Sequence, residues 1–289
     1  MLVLFTDTDT DVTPVEAEEY GYHLISMPYS IGDEITYPYV DFEKFDGHAF
    51  YQKLREGVLP TTSALNPIDY KNYFEPFFKN GDDILYVHFS RAMSGTFNSL
   101  NLALEDLKKE YPDRKVYLID TKGITLGSYT IVLEIGKLVK NGASIEEVMK
   151  WSETEIDKYA VYFFADDLKF FRRSGRVSGL AATMGGLIGI KPIINMNSDG
   201  IMGSIGKERG RKNAIARLVQ YVVDLGDDVK NHPIVIGHCD NIDLVNLLVS
   251  ELKQTLGDDL KYSIHEVNPT AGSHCGPDTV GISFHAIHR

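Results

Sequence analysis

The stretch Ile84–Glu110, ILYVHFSRAMSGTFNSLNLALEDLKKE, predicts a strand that leads directly into a helix. Ile84–Phe89 is a run of apolar, β-branched and aromatic residues, which is typical of a buried strand. From Phe97 onward apolar residues recur at the spacing of an amphipathic helix. Tyr111-Pro112 ends that helix, because the residue before a proline is pushed out of the α conformation.

Ser94, Gly95 and Thr96 stand at the junction between this strand and this helix. The junction combines unpaired backbone N–H groups, the positive end of the helix dipole and two hydroxyls, which together suit a small anion. A serine in this place is most often only a helix cap. Taken alone, the stretch favours the capping role.

Strands and helices alternate over residues 1–158, which predicts an α/β fold with a mostly parallel sheet flanked by helices. In such sheets ligands bind beyond the carboxyl ends of the strands. Three hydroxyl-bearing loops fall at such ends, and they contain Thr8 with Thr10, Ser94 with Thr96, and Thr121 with Thr125. A further hydroxyl-rich loop, Thr61–Ser63, lies between two prolines and on its own indicates only a turn.

The pattern changes near residue 159 and predicts a second, α+β domain over residues 159–275. We expect the tail, residues 276–289, to pack on the first domain. The segment 179–190, GLAATMGGLIGI, is apolar and rich in glycine, which permits close approach of another backbone or of an apolar ligand. Pro269–Pro277 contains two glycines and two prolines, which predicts a rigid turn that exposes polar groups.

The net charge of −12 is unevenly distributed. Lys169–Arg217 holds ten Lys and Arg residues against two acids, a local charge of +8 that leaves −20 for the rest of the chain. An acidic body argues against nucleic acid or an anionic membrane as the main partner. The basic segment suggests an anionic ligand or a partner that presents phosphate.

Several other classes are disfavoured. No apolar run is long enough to span a bilayer, and the first residues lack the basic region of a signal peptide, so a cytoplasmic protein without stable membrane insertion is expected. The two cysteines fit no metal-ligand pattern. Asp7, Asp9 and Asp11 resemble the start of a calcium loop, but the required glycine and glutamate are missing. We therefore predict no metal and no cofactor.

The whole chain resembles the DegV family of bacterial fatty-acid-binding proteins. No single block is specific, but seven occur in the order of the family. These blocks are Asp7–Asp11, Pro60–Ser63, Met93–Ser99, Arg173–Ser178, Ile190–Ile193 with Asp199-Gly200, Lys207–Gly210 and Gly272–Pro277. The first loop departs from the usual D-S-T-x-D pattern, because Asp9 adds a charge.

The resemblance implies that the chain binds one long-chain fatty acid between its domains. It also implies that the chain presents the lipid to the catalytic subunit of a fatty acid kinase, which forms an acyl-phosphate for phospholipid synthesis. The chain would then be a binding subunit with no catalytic residues of its own. The residues implied to hold the carboxylate are Thr62, Ser94, Gly95, Thr61, Ser63, Thr125 and His274. The residues implied to face the kinase and its phosphate are Arg176, Arg209 and Arg173. The candidate wall of the acyl tunnel is Ala182, Met184, Gly185, Ile188 and Ile190.

Two other functions stay open from the residues. The first is a hydrolase with Ser94 as its nucleophile, in which His274 and an aspartate complete a triad. It is weakened because Ala92 stands where a G-x-S-x-G elbow requires its first glycine. The second is a lipid carrier or sensor that acts without a kinase.

Overall fold

The computed structural model describes residues 1–180 and 189–289. Residues 1–158 contain thirteen β-strands and α-helices. They are β1 (Leu2–Asp7), α1 (Pro14–Tyr20), β2 (Tyr22–Ile25), β3 (Tyr29–Ile31), β4 (Glu34–Thr36), α2 (Gly47–Arg55), β5 (Thr61–Thr62), α3 (Pro67–Lys79), β6 (Asp83–His88), α4 (Thr96–Glu110), β7 (Val116–Asp120), and then α5 (Leu126–Lys140) and α6 (Ile145–Glu155). They alternate as predicted except for the consecutive strands β2, β3 and β4 and the consecutive helices α5 and α6.

Four of these strands form a parallel sheet in the order β2–β1–β6–β7, which confirms the predicted α/β architecture of the first part. The apolar faces of its helices cover the sheet, and Tyr86, Leu100 and Ile135 are fully buried in the shared core. The helix starts follow local chemistry. Asn66 and Asp69 form a capping box around Pro67, which has the fixed φ favoured in a first helical turn.

Tyr22–Ile31, which reads as one strand in the sequence, is divided between two sheets. β2 extends the parallel sheet, whereas β3 joins the small antiparallel sheet β4–β3–β5. Between them the Thr8 hydroxyl accepts a hydrogen bond from the Met27 backbone N–H at 2.9 Å, and the Ser26 hydroxyl donates to the Pro38 carbonyl at 2.7 Å. These long-range contacts redirect the chain, and a sequence pattern does not contain them.

The remaining elements build the second, α+β domain. They are β8 (Tyr159–Phe164), α7 (Lys169–Ser174), β9 (Val177–Ser178), β10 (Ile190–Met196), β11 (Met202–Arg209), α8 (Arg211–Leu225), β12 (Ile234–His238), α9 (Ile242–Leu256), β13 (Tyr262–Glu266), α10 (Pro269–Cys275) and β14 (Val280–His285). The seven strands form one mixed sheet in the order β13–β12–β14–β8–β10–β11–β9. The hairpin of β10 and β11 turns at Gly200, whose φ is +74°.

The tail, expected on the first domain, lies mainly in the second sheet, although Arg289 at its end donates to the carbonyls of Thr121 and Ile156 in the first domain. Strand β14 lies between β12 and β8. Its six residues are all buried, and an antiparallel partner on each side satisfies its backbone. Residues 269–275 form a helix, not an exposed turn, because Asn268 caps it and Pro269 occupies its first position.

The two sheets share apolar core. One buried cluster contains Phe5 and Val87 of the parallel sheet together with Val161 and Ile194 of the mixed sheet. Helix α5 lies between them, and Gly127 brings its backbone so close to Val161 that a Cβ atom would lie 2.6 Å from a Val161 methyl. The domain limits at residues 158 and 275 stay a prediction. No helix of the described ranges is long and apolar enough to cross a bilayer.

Candidate functional site

A cavity lies where the carboxyl ends of β1, β6 and β7 face the second sheet. The space not filled by protein atoms in this cavity and in the solvent-open region at its mouth is about 1070 Å³. Most of its described wall is apolar. The apolar side chains come from both sheets and their loops, and they include Phe89, Met93, Leu126, Val161, Phe163, Met196 and Met202.

One end of the cavity carries a hydroxyl and an imidazole in direct contact. Thr62 Oγ1 and His274 Nε2 share a hydrogen bond of 2.9 Å. Thr62 is held by the pairing of β5 with Tyr29 of β3, and His274 is held in the last turn of α10. Both residues line the cavity, so two elements that are distant in sequence build one polar end.

Ser94 and Gly95 also line the cavity, at the start of α4. The N-cap residue is Gly95, which has no capping side chain, while the hydroxyl of Ser94 accepts a hydrogen bond from the Thr96 N–H at 3.2 Å. Ser94 therefore satisfies one amide of the first turn, as the capping role predicts. The same position leaves its hydroxyl beside the positive end of the helix, where an anion is stabilised.

His274 is held in its neutral form. Burial, and after it the charges of Arg176 and Arg173, lower its pKa from 6.5 to about 4. Near pH 7 the imidazole is therefore uncharged. A neutral imidazole and a hydroxyl can donate to a carboxylate without fixing it by a full ion pair.

The predicted arginines occupy different places. Arg176 lines the cavity at its exposed rim, where its Nη1 donates to the Ser174 carbonyl at 2.6 Å. Arg173 donates to the carbonyl of Pro60 and so braces the loop that carries Thr62. Arg209 is exposed on β11 and does not contribute to the described wall.

The other predicted site residues divide in the same way. Ser63 and Thr125 line the cavity, whereas Thr61 and Ile190 are not part of its described wall. Thr61 is exposed, and Ile190 is half-buried at the start of β10. Four residues of the predicted tunnel wall lie outside the described residues: Ala182, Met184, Gly185 and Ile188.

The first loop contributes a part of the site that the sequence did not predict. Asp7, Asp9 and Asp11 are all buried, and Asp9 lines the cavity. Asp7 Oδ2 accepts hydrogen bonds from the Tyr86 hydroxyl at 3.0 Å and the Phe89 N–H at 3.2 Å. The described residues contain no group of three or more His, Cys, Asp or Glu side chains arranged to hold a metal ion.

Burial raises the pKa values of these three carboxyls. The pKa of Asp7 rises to about 7 against the opposing effect of its hydrogen bonds, and that of Asp11 rises to about 7 against the hydrogen bonds from Asn268. The pKa of Asp9 rises well above 3.8, first through burial and then through the charges of Asp7 and Asp11. The first loop is therefore built from carboxyls that resist ionisation, and of these three Asp9 lines the cavity.

Helix α10 supplies further wall residues that the sequence analysis missed, namely Thr270, Ala271 and Cys275. The signal for this helix is present at Asn268-Pro269, since an asparagine cap followed by proline often opens a helix. Cys275 and Cys239 are both free thiols.

A cavity between a parallel sheet and a mixed sheet defines this molecule as a two-domain α/β protein with an interdomain cavity. A family model described as "Uncharacterised protein, DegV family" matches residues 1–286. The chain belongs to the DegV family. The DegV domain-containing protein CPE0026 of Clostridium perfringens is 31% identical over 287 residues, which cover 98% of this chain and 96% of that protein.

Solved structures show the same fold. A DegV family protein from Thermus thermophilus, described as binding fatty acid, is 26% identical, has a TM-score of 0.86 and is matched over 99% of each chain. A stearic acid-binding protein from Eubacterium ventriosum has a TM-score of 0.86, with 98% of this chain and 97% of that chain covered. Its identity is 21%, so this likeness supports the fold alone.

Proposed function

We propose that this protein binds one long-chain fatty acid in the interdomain cavity. The observation that carries the proposal is the apolar cavity closed at one end by Thr62, His274 and Ser94. A fatty acid has this same division into a long apolar chain and a small anionic head. The fatty acid binding described for the Thermus thermophilus relative supports the same ligand class.

In this proposal the carboxylate accepts hydrogen bonds at the hydroxyl end. Thr62 and Ser94 donate to its oxygens, with the first-turn amides after Gly95 and the neutral His274 beside them. Ser63 and Thr125 extend this polar rim, and Thr61 remains a candidate only through movement of its exposed loop. Hydrogen bonds to a charged group contribute about 1.5–3 kcal/mol each.

The acyl chain provides most of the affinity. Each methylene removed from water contributes ~0.8 kcal/mol, so a chain of about sixteen carbons contributes on the order of 10 kcal/mol before the costs of binding. The aromatic and methionine side chains of the wall are suited to this role, because methionine adapts its shape to an apolar ligand.

The further step is presentation to a fatty acid kinase that phosphorylates the carboxylate for phospholipid synthesis. In this proposal Arg176 at the rim binds the phosphate, since a guanidinium binds phosphate oxygens through two parallel hydrogen bonds. Arg209 adds charge on the exposed face of β11, and Arg173 supports the Thr62 loop. A carrier or sensor without a kinase uses the same cavity and differs only in this step.

The geometry disfavours the hydrolase. His274 contacts Thr62 through Nε2, and the charges that act on it come from arginines instead of a carboxylate. An imidazole with a pKa of about 4 is a weak general base at pH 7. Ser94 therefore lacks the activation that a nucleophilic serine requires.

Displacement of a fluorescent fatty acid tests the binding proposal, and we expect saturable binding of one molecule per chain. Adding a bacterial fatty acid kinase and ATP tests the second step, with acyl-phosphate trapped by hydroxylamine. Arg209→Ala should lower the rate of trapping while lipid remains bound. Lys108→Ala, an exposed change at the far end of α4, is the matched control. An unchanged rate in Arg209→Ala would remove the docking role, and no fatty acid binding would remove the function.

A further inference from the structure

Asp9 differs from its two neighbours in the first loop. Its side chain lines the cavity and is only 5% exposed, and its Oδ1 has no hydrogen-bond partner. Asp7 accepts three hydrogen bonds, and Asp11 accepts two from Asn268 at its Oδ1 while its Oδ2 has no partner; neither residue lines the described cavity wall. Asp7 and Asp11 therefore hold the loop together, and the role of Asp9 is not explained by the fold.

Two hydrogen bonds fix the backbone of Asp9, one at its N–H and one at its carbonyl. Its N–H donates to Asp7 Oδ1 at 3.1 Å, and its carbonyl accepts from the Thr125 N–H at 2.7 Å. Thr125 adopts a positive φ of 50° to make that contact, a conformation that costs energy for a residue other than glycine. These contacts fix the backbone from which the Asp9 carboxyl projects.

A buried carboxyl without a partner is unfavourable by about 1–3 kcal/mol or more. Around it the described wall is largely apolar, and the charges that act on it are the like charges of Asp7 and Asp11. An unsubstituted acyl chain filling this cavity would displace water from Asp9 and offer no hydrogen bond in return. A neutral hydroxyl on the chain would both donate to and accept from it.

We propose that Asp9 selects fatty acids whose acyl chain carries a hydroxyl group, through a direct hydrogen bond from the carboxyl to that hydroxyl. The inference rests on the proposed binding of a fatty acid in this cavity. The head of the ligand remains at Thr62 and His274, where the nearby charges are those of Arg176 and Arg173. Asp9 recognises a hydroxyl group on the acyl chain, whereas Thr62 and His274 recognise the carboxylate.

A displacement assay against stearic acid and a series of monohydroxylated stearic acids tests this selection. The members of the series differ only in the carbon that bears the hydroxyl. We expect at least one of them to bind about tenfold more tightly than stearic acid. In Asp9→Leu, which replaces the carboxyl by an apolar group of similar shape, stearic acid should bind as tightly or more tightly and the preference should vanish.

Asp9→Asn is the matched variant, because an amide both donates to and accepts from a hydroxyl, and it should keep the preference. A thermal melt verifies that each variant folds. If Asp9→Leu does not fold, Asp9→Ala, which also removes the carboxyl, takes its place and should lose the preference that Asp9→Asn keeps. Equal affinity for every member in the wild type overturns the selection, as does a preference that survives in Asp9→Leu. Failure of all fatty acids to bind instead overturns the proposed function.

Discussion

Burial favours the uncharged form in two regions of the site, the Thr62–His274 pair and the first loop, although one holds a base and the other holds acids. At the Thr62–His274 pair burial lowers the pKa of His274 to about 4, and in the first loop burial raises the pKa values of Asp7 and Asp11 to about 7. Desolvation disfavours whichever form is charged, so it deprotonates a base and protonates an acid. Burial therefore suppresses charge both on the cavity wall, at His274, and in the loop that carries Asp9.

The two regions differ in whether their polar atoms already have hydrogen-bond partners. The Thr62–His274 pair has already formed a hydrogen bond and borders a helix N-terminus, which is suited to an anion. Asp9 has an unpartnered oxygen beside two further acids, which is unsuited to an anion. A ligand carboxylate is therefore favoured beside Thr62 and His274, and an uncharged group is favoured beside Asp9.

The largest expected effect on fatty acid affinity follows from removing the hydroxyls of Thr62 and Ser94. Thr62→Ala/Ser94→Ala removes two hydrogen bonds to a charged carboxylate and should weaken stearic acid binding roughly a thousandfold. Fluorescent displacement measures it. Thr154→Ala is the control, because that exposed hydroxyl contacts only its own helix. A loss of similar size in Asp9→Asn would contradict the distinction between the two ends.

The next effect is a fall in stability with rising pH. A carboxyl whose pKa is higher in the folded chain than in the unfolded chain stabilises the fold at low pH, and this is lost as pH rises from about 4 to about 7. Each such carboxyl contributes up to about 1.4 kcal/mol per pH unit to the free energy of unfolding. Asp11→Asn keeps the Oδ1 acceptor and should remove that share, which urea unfolding across this range measures. An unchanged slope would show that Asp11 is ionised in the fold.

His274 should act in the opposite direction. Its pKa is lowered in the folded chain, so its contribution is present above pH 6.5 and is lost as pH falls towards 4. His274→Gln removes a positive slope and should make the measured decline of stability with pH steeper, by at most about 1.4 kcal/mol per pH unit. A shallower decline in the same urea experiment would contradict the assignment of a neutral buried imidazole.

The smallest expected effect distinguishes the exposed arginines at the rim from the apolar side chains of the cavity wall. Raising the salt concentration should reduce kinase-dependent acyl-phosphate formation, because exposed charges such as Arg176 and Arg209 are screened. Affinity for the fatty acid, held mainly by apolar burial, should change by about twofold or less. Parallel titrations with salt measure both quantities. An equal loss of both would show that the rim arginines hold the lipid itself.

The sequence was most informative where structure is local. The strand and helix of Ile84–Glu110, the Asn66-Pro67 helix start and the β10–β11 hairpin follow from periodicity, caps and turn residues. It was least informative where distant segments meet. The place of β14 between β12 and β8 depends on pairing across more than a hundred residues, and no local pattern specifies it.

The same limit applies to the site. The hydroxyls at Thr62 and Ser94 could be proposed from their loops, but the contact of Thr62 with His274 joins residues 212 positions apart. The alternating aspartates suggested at most a metal loop, because their burial depends on elements from the whole chain. The role proposed for Asp9 therefore required the fold.

Mass spectrometry of the purified protein, native and then after solvent extraction, tests the central claim most directly. We predict one fatty acid released per wild-type chain, and much less from folded Thr62→Ala/Ser94→Ala. Extraction also identifies any hydroxyl on the acyl chain. A wild-type protein that releases no fatty acid, and takes up none when fatty acids are added, would contradict the account.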